Sequence, residues 1–313
     1  MSKGHYHWDL IAANLLFGAN FSFYVSLIDS YLSFQQLFIW QVIAAALIFV
    51  PSALFSPRTY RLSWRDAVHI LLVSVLVIYG WMYTLLWGSS YTSPIDAATI
   101  ATLGPAFTLL IDRLLHRSTP FIRSRLVGVG CISIGAWLLI FDKGFVLIHG
   151  SRGYGNLLVL CAVIAIATNT VLIKPQLERL GTRVVMGWYY FFGLGLTLPF
   201  FHDRLDPSLL LHLPPAALGE LAYVLLLGTV WPMWLLYRGA EHLTAIHTAL
   251  YRYIQPLSAG ALALYRHQAQ FDRTNIAALA AIFVGIVLII VGYRESLRAL
   301  SESLAPRRLR RRR

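Results

Sequence analysis

Ten runs of apolar residues follow one another along the chain, at about 10–28, 34–55, 67–87, 95–115, 123–141, 154–173, 184–201, 216–237, 243–264 and 275–293, separated by short polar segments. Each approaches the ~20 residues that a helix needs to cross a ~30 Å hydrocarbon layer, the fifth and seventh being short. None alternates apolar and polar positions with period two, so a barrel of lipid-facing strands is excluded. The pattern predicts ten transmembrane helices. The first run is as long as a full span, contains Asn14 and Asn20 and lacks an A-x-A-like processing site. It is therefore expected to be a permanent helix and not a cleaved signal.

Positions recur at an interval of about 150 residues. Asn20, Trp81, Pro105 and Gly135 reappear as Asn169, Trp231, Pro256 and Gly285. Ten spans then divide into two units of five, 1–145 and 150–295, followed by a basic segment at 296–313. An odd number of spans per unit forces the second copy to enter the membrane upside down, the plan on which many secondary transporters alternate access.

Composition and charge agree with lipid as the solvent. Of the 313 residues 58% are hydrophobic and 13% charged, more apolar surface than a soluble core of this size can hide. If the amino terminus is cytoplasmic, twenty of the 26 Lys and Arg fall in inner segments or the tail and five in outer loops, with Arg252 inside a span. Both termini are therefore expected in the cytoplasm of a multi-pass cell-membrane protein. Six arginines among the last seven residues are expected to meet anionic inner-leaflet lipid, at about 1 kcal/mol per charge. Nucleic acid is the competing partner for such a run, but no folded domain accompanies it. Cys131 and Cys161 lie inside predicted spans with no metal-ligand spacing around them, so no metal site is expected.

Polar residues inside apolar spans are the candidates for chemistry. Arg252 lies near the expected membrane midplane, where an arginine costs on the order of 2.5–3.5 kcal/mol on insertion scales, so something must compensate it. Its repeat equivalent is Ala101, as though a charge had been added to a symmetric scaffold. The guanidinium suits a carboxylate or phosphate, while a structural ion pair is the competing reading. Thr248 and Gln255 share its helical face, at i−4 and i+3.

Asp96 and His247 stand nine residues before Pro105 and Pro256. They read as a possible amine or proton site at opposite mouths, or as wet residues near span ends. The two prolines each remove a backbone hydrogen bond inside a span and can serve as hinges. Asn20 and Asn169 either bind substrate or tie helices together. Trp81, Tyr83 and Trp231 form part of an aromatic face that could stack on a solute, others in the same spans reading as interface belt.

The segments F-G-A-N-F at 17–21, W-x-Y-x-L-L-W at 81–87, A-A-T-I-A-T-L-G-P at 97–105 and G-A-W-L-L-I at 135–140 resemble an EamA-type repeat of the drug/metabolite transporter superfamily. W-P-M-W-L-L-Y at 231–237, A-L-Y-R-Y-I-Q-P at 249–256 and G-I-V-L-I-I at 285–290 resemble its second copy. The resemblance spans nearly the whole chain. It implies an all-α integral membrane fold of ten helices, in two inverted five-helix repeats around a central cavity lined mainly by the first, third and fourth helices of each. Two positions depart from the pattern. An acidic residue after the fourth helix is replaced by His116-Arg117-Ser118 and His267-Gln268-Ala269, and an arginine of the second helix by Gln41.

The expected function is that of a permease or exporter of a small organic metabolite, amino-acid-like or otherwise anionic, working by alternating access without a cofactor. An integral-membrane enzyme acting on a lipid or lipid-linked substrate is the alternative, although no G-x-S-x-G, H-E-x-x-H or Walker A motif is present. Expected partners are the solute, lipid and, as a further option, a second copy of the chain.

Overall fold

The computed structural model describes residues 4–116 and 151–268, with isolated positions from 127 to 134 and from 273 to 288. The expected fifth and tenth spans, Gly135, Gly285 and the basic tail lie largely or wholly outside the described residues. Within them the chain is helical and carries no strand.

Helix α1 covers Gly4–Ser30, α2 Phe34–Leu54 and α3 Trp64–Val75; a π-helical stretch, Leu76–Tyr83, joins α3 to α4, Thr84–Ser89. Next come α5, Pro94–Ala101, and α6, Gly104–His116. The second half begins with α7, Arg152–Leu172, α8, Lys174–Leu180, α9, Thr182–Phe201, and a single turn, α10, Leu209–His212. A second π-helical stretch, Tyr223–Val230, separates α11, Pro215–Ala222, from α12, Trp231–His242. Last are α13, Ala245–Leu250, a 3-10 turn Tyr251–Ile254, and α14, Gln255–Tyr265. Among the described residues seven helical segments are long and apolar enough to cross a membrane: His5–Ile28, Phe34–Leu54, Trp64–Ser89, Pro94–Leu115, Arg152–Leu172, Thr182–Arg204 and Pro215–His242. The predicted ninth span is the broken run from α13 to α14.

The two halves run in opposite directions. One face of the bundle, here the near face, brings together His5 at the start of α1, Arg58 after α2, Thr182 at the start of α9 and His242 at the end of α12. The opposite, far face joins Asp96 of α5 to Arg152 at the start of α7, and Ser22 of α1 to Gln268 beyond α14. Helix α1 thus runs from near to far and its repeat equivalent α7 from far to near. This is the inversion expected from the 150-residue repeat.

Packing obeys the same two-fold. Helix α1 of the first half packs on α12 and α14 of the second, while α7 of the second packs on α4 and α6 of the first; α2 and α9, each other's equivalents, pack together. Lipid gives helices no hydrophobic reason to associate, so close approach and hydrogen bonds must hold the halves. A Cβ on Gly18 of α1 would collide with Ser258 and the backbone of Gln255, which shows how closely α1 and α14 touch.

The breaks in the fourth and ninth spans are also equivalent. Ser93 caps α5 by accepting from the Asp96 N–H, and Thr244 caps α13 by accepting from the His247 N–H. Each short helix then ends where a proline, Pro105 or Pro256, enters the first turn of the next. Proline has no N–H for the carbonyl four residues earlier, so Ala101 and Arg252 lose a helical partner and the chain tightens into a turn between the two helical pieces.

Candidate central binding site

Between the halves lies a cavity whose lining comes from helices of both. Asn14, Phe17, Asn20, Phe21 and Tyr24 of α1 form one side, with Arg252, Gln255 and Leu236; Trp81, Leu85, Ala101, Val163 and Ile166 form the other. Its free volume is about 30 Å³. That is about one water molecule's share of liquid volume. In this conformation the cavity is collapsed, and a metabolite would need the helices to part.

Arg252 is the chemical centre of this lining. It is 5% exposed, and its Nε has no hydrogen-bond partner. Among the described residues its guanidinium forms no ion pair. Space for it is made by Gly104 at the break of the fourth span: a Cβ there would lie 2.9 Å from Arg252 Cδ and 3.5 Å from Nε and Nη1. The cation therefore rests against the bare backbone at which the opposite half is broken. A buried guanidinium without a carboxylate is costly, and native structures rarely leave one unexplained.

Other polar groups bear on the same space. Gln255 Nε2 donates to Asn14 Oδ1 at 2.8 Å, and Asn14 Nδ2 donates to the Leu10 carbonyl at 2.7 Å. Asn20 Nδ2 donates to the Gly228 carbonyl at 3.0 Å, within the second π-helical stretch, and its Oδ1 is buried without a partner. Asn20 thus ties α1 to the eighth span, its Oδ1 packed against Gly228. Trp81 meets Phe17 edge-on, their ring centroids 5.9 Å apart.

The sequence candidates divide on this geometry. Arg252, Gln255, Asn20 and Trp81 come together at the cavity. Asn169 lies instead in a neighbouring cleft with Thr248, where it donates to the Tyr237 hydroxyl at 2.7 Å and accepts from Tyr189 at 2.5 Å, a helix-tying role. Thr248 Oγ1 is buried without a partner. Tyr83 packs among Phe34, Phe38, Tyr79 and Phe201, and Trp231 is 55% exposed on the outer surface of the bundle. Asp96 and His247 do stand at opposite faces. Asp96 is 1% exposed and bound bidentately by Arg152, Nε to Oδ2 at 2.5 Å and Nη2 to Oδ1 at 2.7 Å, with Asn156 Nδ2 donating to Oδ2 at 3.2 Å. His247 is half-buried, its ring 2.7 Å from the Thr244 hydroxyl.

Asn14 was not singled out by sequence reasoning, although a signal existed. At the offset that relates Asn20 to Asn169, Asn14 corresponds to Val163. Both Asn14 and Arg252 are polar where the other repeat is apolar, and both line one cavity.

The two ends of the bundle differ. At the near face an opening of about 510 Å³ is lined by His5, Tyr6, Arg58, Arg183, Arg238, Glu241 and His242, among others. Its charges are partly paired: Arg238 with Asp9, and Arg58 with Glu241 at 3.3 Å. At the far face the Asp96–Arg152 pair joins α5 to α7, and a hydrogen bond from Thr92, just before α5, reaches Asn156 of α7. The far-face contacts form a latch between the two halves, while the near-face opening shares no lining residue with the central cavity.

The model of the EamA-like transporter family matches this chain twice, over residues 8–141 and 153–291. A protein described as "Uncharacterized transporter YetK", from Bacillus subtilis (strain 168), is 22% identical over 233 residues, which are 74% of this chain and 70% of that protein. A solved structure described as "Crystal structure of protein" superposes with a TM-score of 0.63 at 17% identity, covering 94% of this chain and 99% of the other. That likeness supports the helical fold.

Proposed function

Because this chain belongs to the EamA-like transporter family, and so is a multi-pass membrane transporter and not an enzyme, we propose that it is a secondary transporter of a small organic metabolite carrying an anionic group, amino-acid-like or otherwise. The solute binds in the central cavity with its anionic group on Arg252. Transport proceeds by alternating access as the inverted halves rock about the cavity, the breaks at Pro105 and Pro256 serving as bending points.

The observation that carries this reading is the buried guanidinium of Arg252 at the interface of the two repeats, its Nε without a partner and no ion pair to it among the described residues. A resident structural cation would have a resident partner, a carboxylate or backbone carbonyls. One whose partner is cargo has none until the cargo arrives. The distribution of Lys and Arg supports the near face as cytoplasmic.

The test is a thermal-stability screen of the purified protein against small organic anions. A ligand selective for the folded state at 100 times its Kd adds about 2.7 kcal/mol of apparent stability. Saturable stabilisation in the wild type, absent in Arg252→Ala, is expected. Equal stabilisation of both would remove Arg252 from the site.

A further inference from the structure

The charge balance of the cavity narrows the ligand class, given the reading of Arg252 as the anion site on which this inference rests. We infer that the site selects an organic monoanion whose remaining body is uncharged and largely apolar, over a zwitterion, a cation or a dianion.

The cavity is two-sided. Asn14, Arg252 and Gln255 make one wall polar, whereas their repeat equivalents Val163, Ala101 and Gly104 are apolar or bare. A scaffold that is otherwise duplicated has placed its hydrogen-bonding groups on one wall. An amphipathic solute fits this arrangement, with its anionic head on Arg252 and its body against Trp81 and Val163. The guanidinium fork suits a carboxylate head.

Net charge then discriminates among anionic solutes. None of the described residues lining the cavity carries a carboxylate. The described carboxylates that lie five positions along the chain from a cavity-lining residue, Asp9, Asp96 and Glu241, are already held by Arg238, Arg152 and Arg58. Counted over the described residues, the empty cavity therefore carries one positive charge. A monoanion brings the closed complex to zero, while a zwitterion leaves it at plus one and adds a buried ammonium without a carboxylate. A cation raises it to plus two and a dianion takes it to minus one. In a collapsed, water-poor space an unpaired charge is the dominant penalty.

The experiment uses the full chain in lipid nanodiscs and four probes that share one ring: 3-phenylpropionate, L-phenylalanine, phenethylamine and phenylsuccinate. Binding is followed by calorimetry or quenching of tryptophan fluorescence, and acetate and butyrate extend the monoanion series to smaller bodies. Expected is at least tenfold tighter binding of 3-phenylpropionate than of any other charge type, abolished in Arg252→Ala. Asn14→Asp keeps an acceptor for Gln255 while adding the missing carboxylate, so it should weaken 3-phenylpropionate and favour L-phenylalanine. Equal or tighter wild-type binding of L-phenylalanine, lost in Arg252→Ala, overturns the monoanion inference and leaves the anion site standing. Binding indifferent to Arg252 overturns both. Failure of every monoanion in the series overturns the inference.

Discussion

Replacing Arg252 with methionine should make the ligand-free protein more stable, even though the side chain is 5% exposed and sits at the centre of the molecule. Methionine keeps a similar unbranched apolar stem against Gly104 but removes a guanidinium that has no ion-pair partner among the described residues. Insertion scales put a central arginine at about 2.5–3.5 kcal/mol unfavourable. Part of that cost is relieved here, because the cavity beside the guanidinium has about 30 Å³ of free space, enough for water. Halving the scale value leaves an expected gain of about 1–2 kcal/mol. Thermal unfolding of both proteins in the same ligand-free nanodiscs measures it, and the variant should lose stabilisation by any anion that stabilises the wild type. A methionine variant less stable by 1 kcal/mol or more would refute the reasoning, because it would mean that Arg252 has a structural partner whose loss is felt.

Gly104→Ala should shift the Arg252 guanidinium by a few tenths of an ångström, because the new Cβ would lie 2.9 Å from Cδ. Alanine's better helix propensity offsets the strain to within about 1 kcal/mol, while anion affinity should fall roughly tenfold; unchanged affinity in a binding titration would contradict the placement. Asn14→Leu and Gln255→Leu, measured singly and together, should show a coupling of about 0.6 kcal/mol from their hydrogen bond, and strict additivity would argue that the bond is not formed in the membrane. Asp96→Asn should loosen the far latch by about 1–3 kcal/mol, a buried-pair value lowered because the Arg152 side chain is 30% exposed. A cysteine at the buried Thr92 should then react several-fold faster with a polar thiol reagent than in a wild-type Asp96 background. In a Cys161→Ser background, cysteines at exposed Tyr60 and Leu211 should label only from the cytoplasm and only from outside, respectively; the reverse result would invert the orientation.

Hydrophobic runs made the described spans legible, because crossing a membrane imposes one length and one composition on each. The duplication was legible for a related reason. Breaks, caps and close contacts recur in pairs when two copies must fit one interface, as Ser93 and Thr244 do. Arg252 stood out because a midplane charge is expensive wherever it points. Direction is what the sequence does not carry. Trp231 and Tyr83 share the aromatic character of Trp81, but only Trp81 faces the cavity; the π-helical stretches Leu76–Tyr83 and Tyr223–Val230 add residues per turn and rotate the helices α4 and α12 that continue from them. Asn20 and Asn169 are identical by sequence position. Asn169 is satisfied by Tyr189 and Tyr237, residues far away in the chain, and the cavity keeps only Asn20. Asn14 drew notice through its contact with Gln255, 241 positions later, which sets it beside Arg252.

The central claim is that an organic anion crosses the membrane by way of Arg252. Proteoliposomes holding the wild type, Arg252→Met or Arg252→Lys, loaded with unlabelled 3-phenylpropionate and presented with the labelled compound, measure exchange directly without assuming a coupling ion. Saturable exchange by the wild type, none above empty liposomes for the methionine variant and a small residual rate for the lysine variant are predicted, since a point ammonium cannot reproduce the guanidinium fork. Exchange by the methionine variant at the wild-type rate would contradict the account.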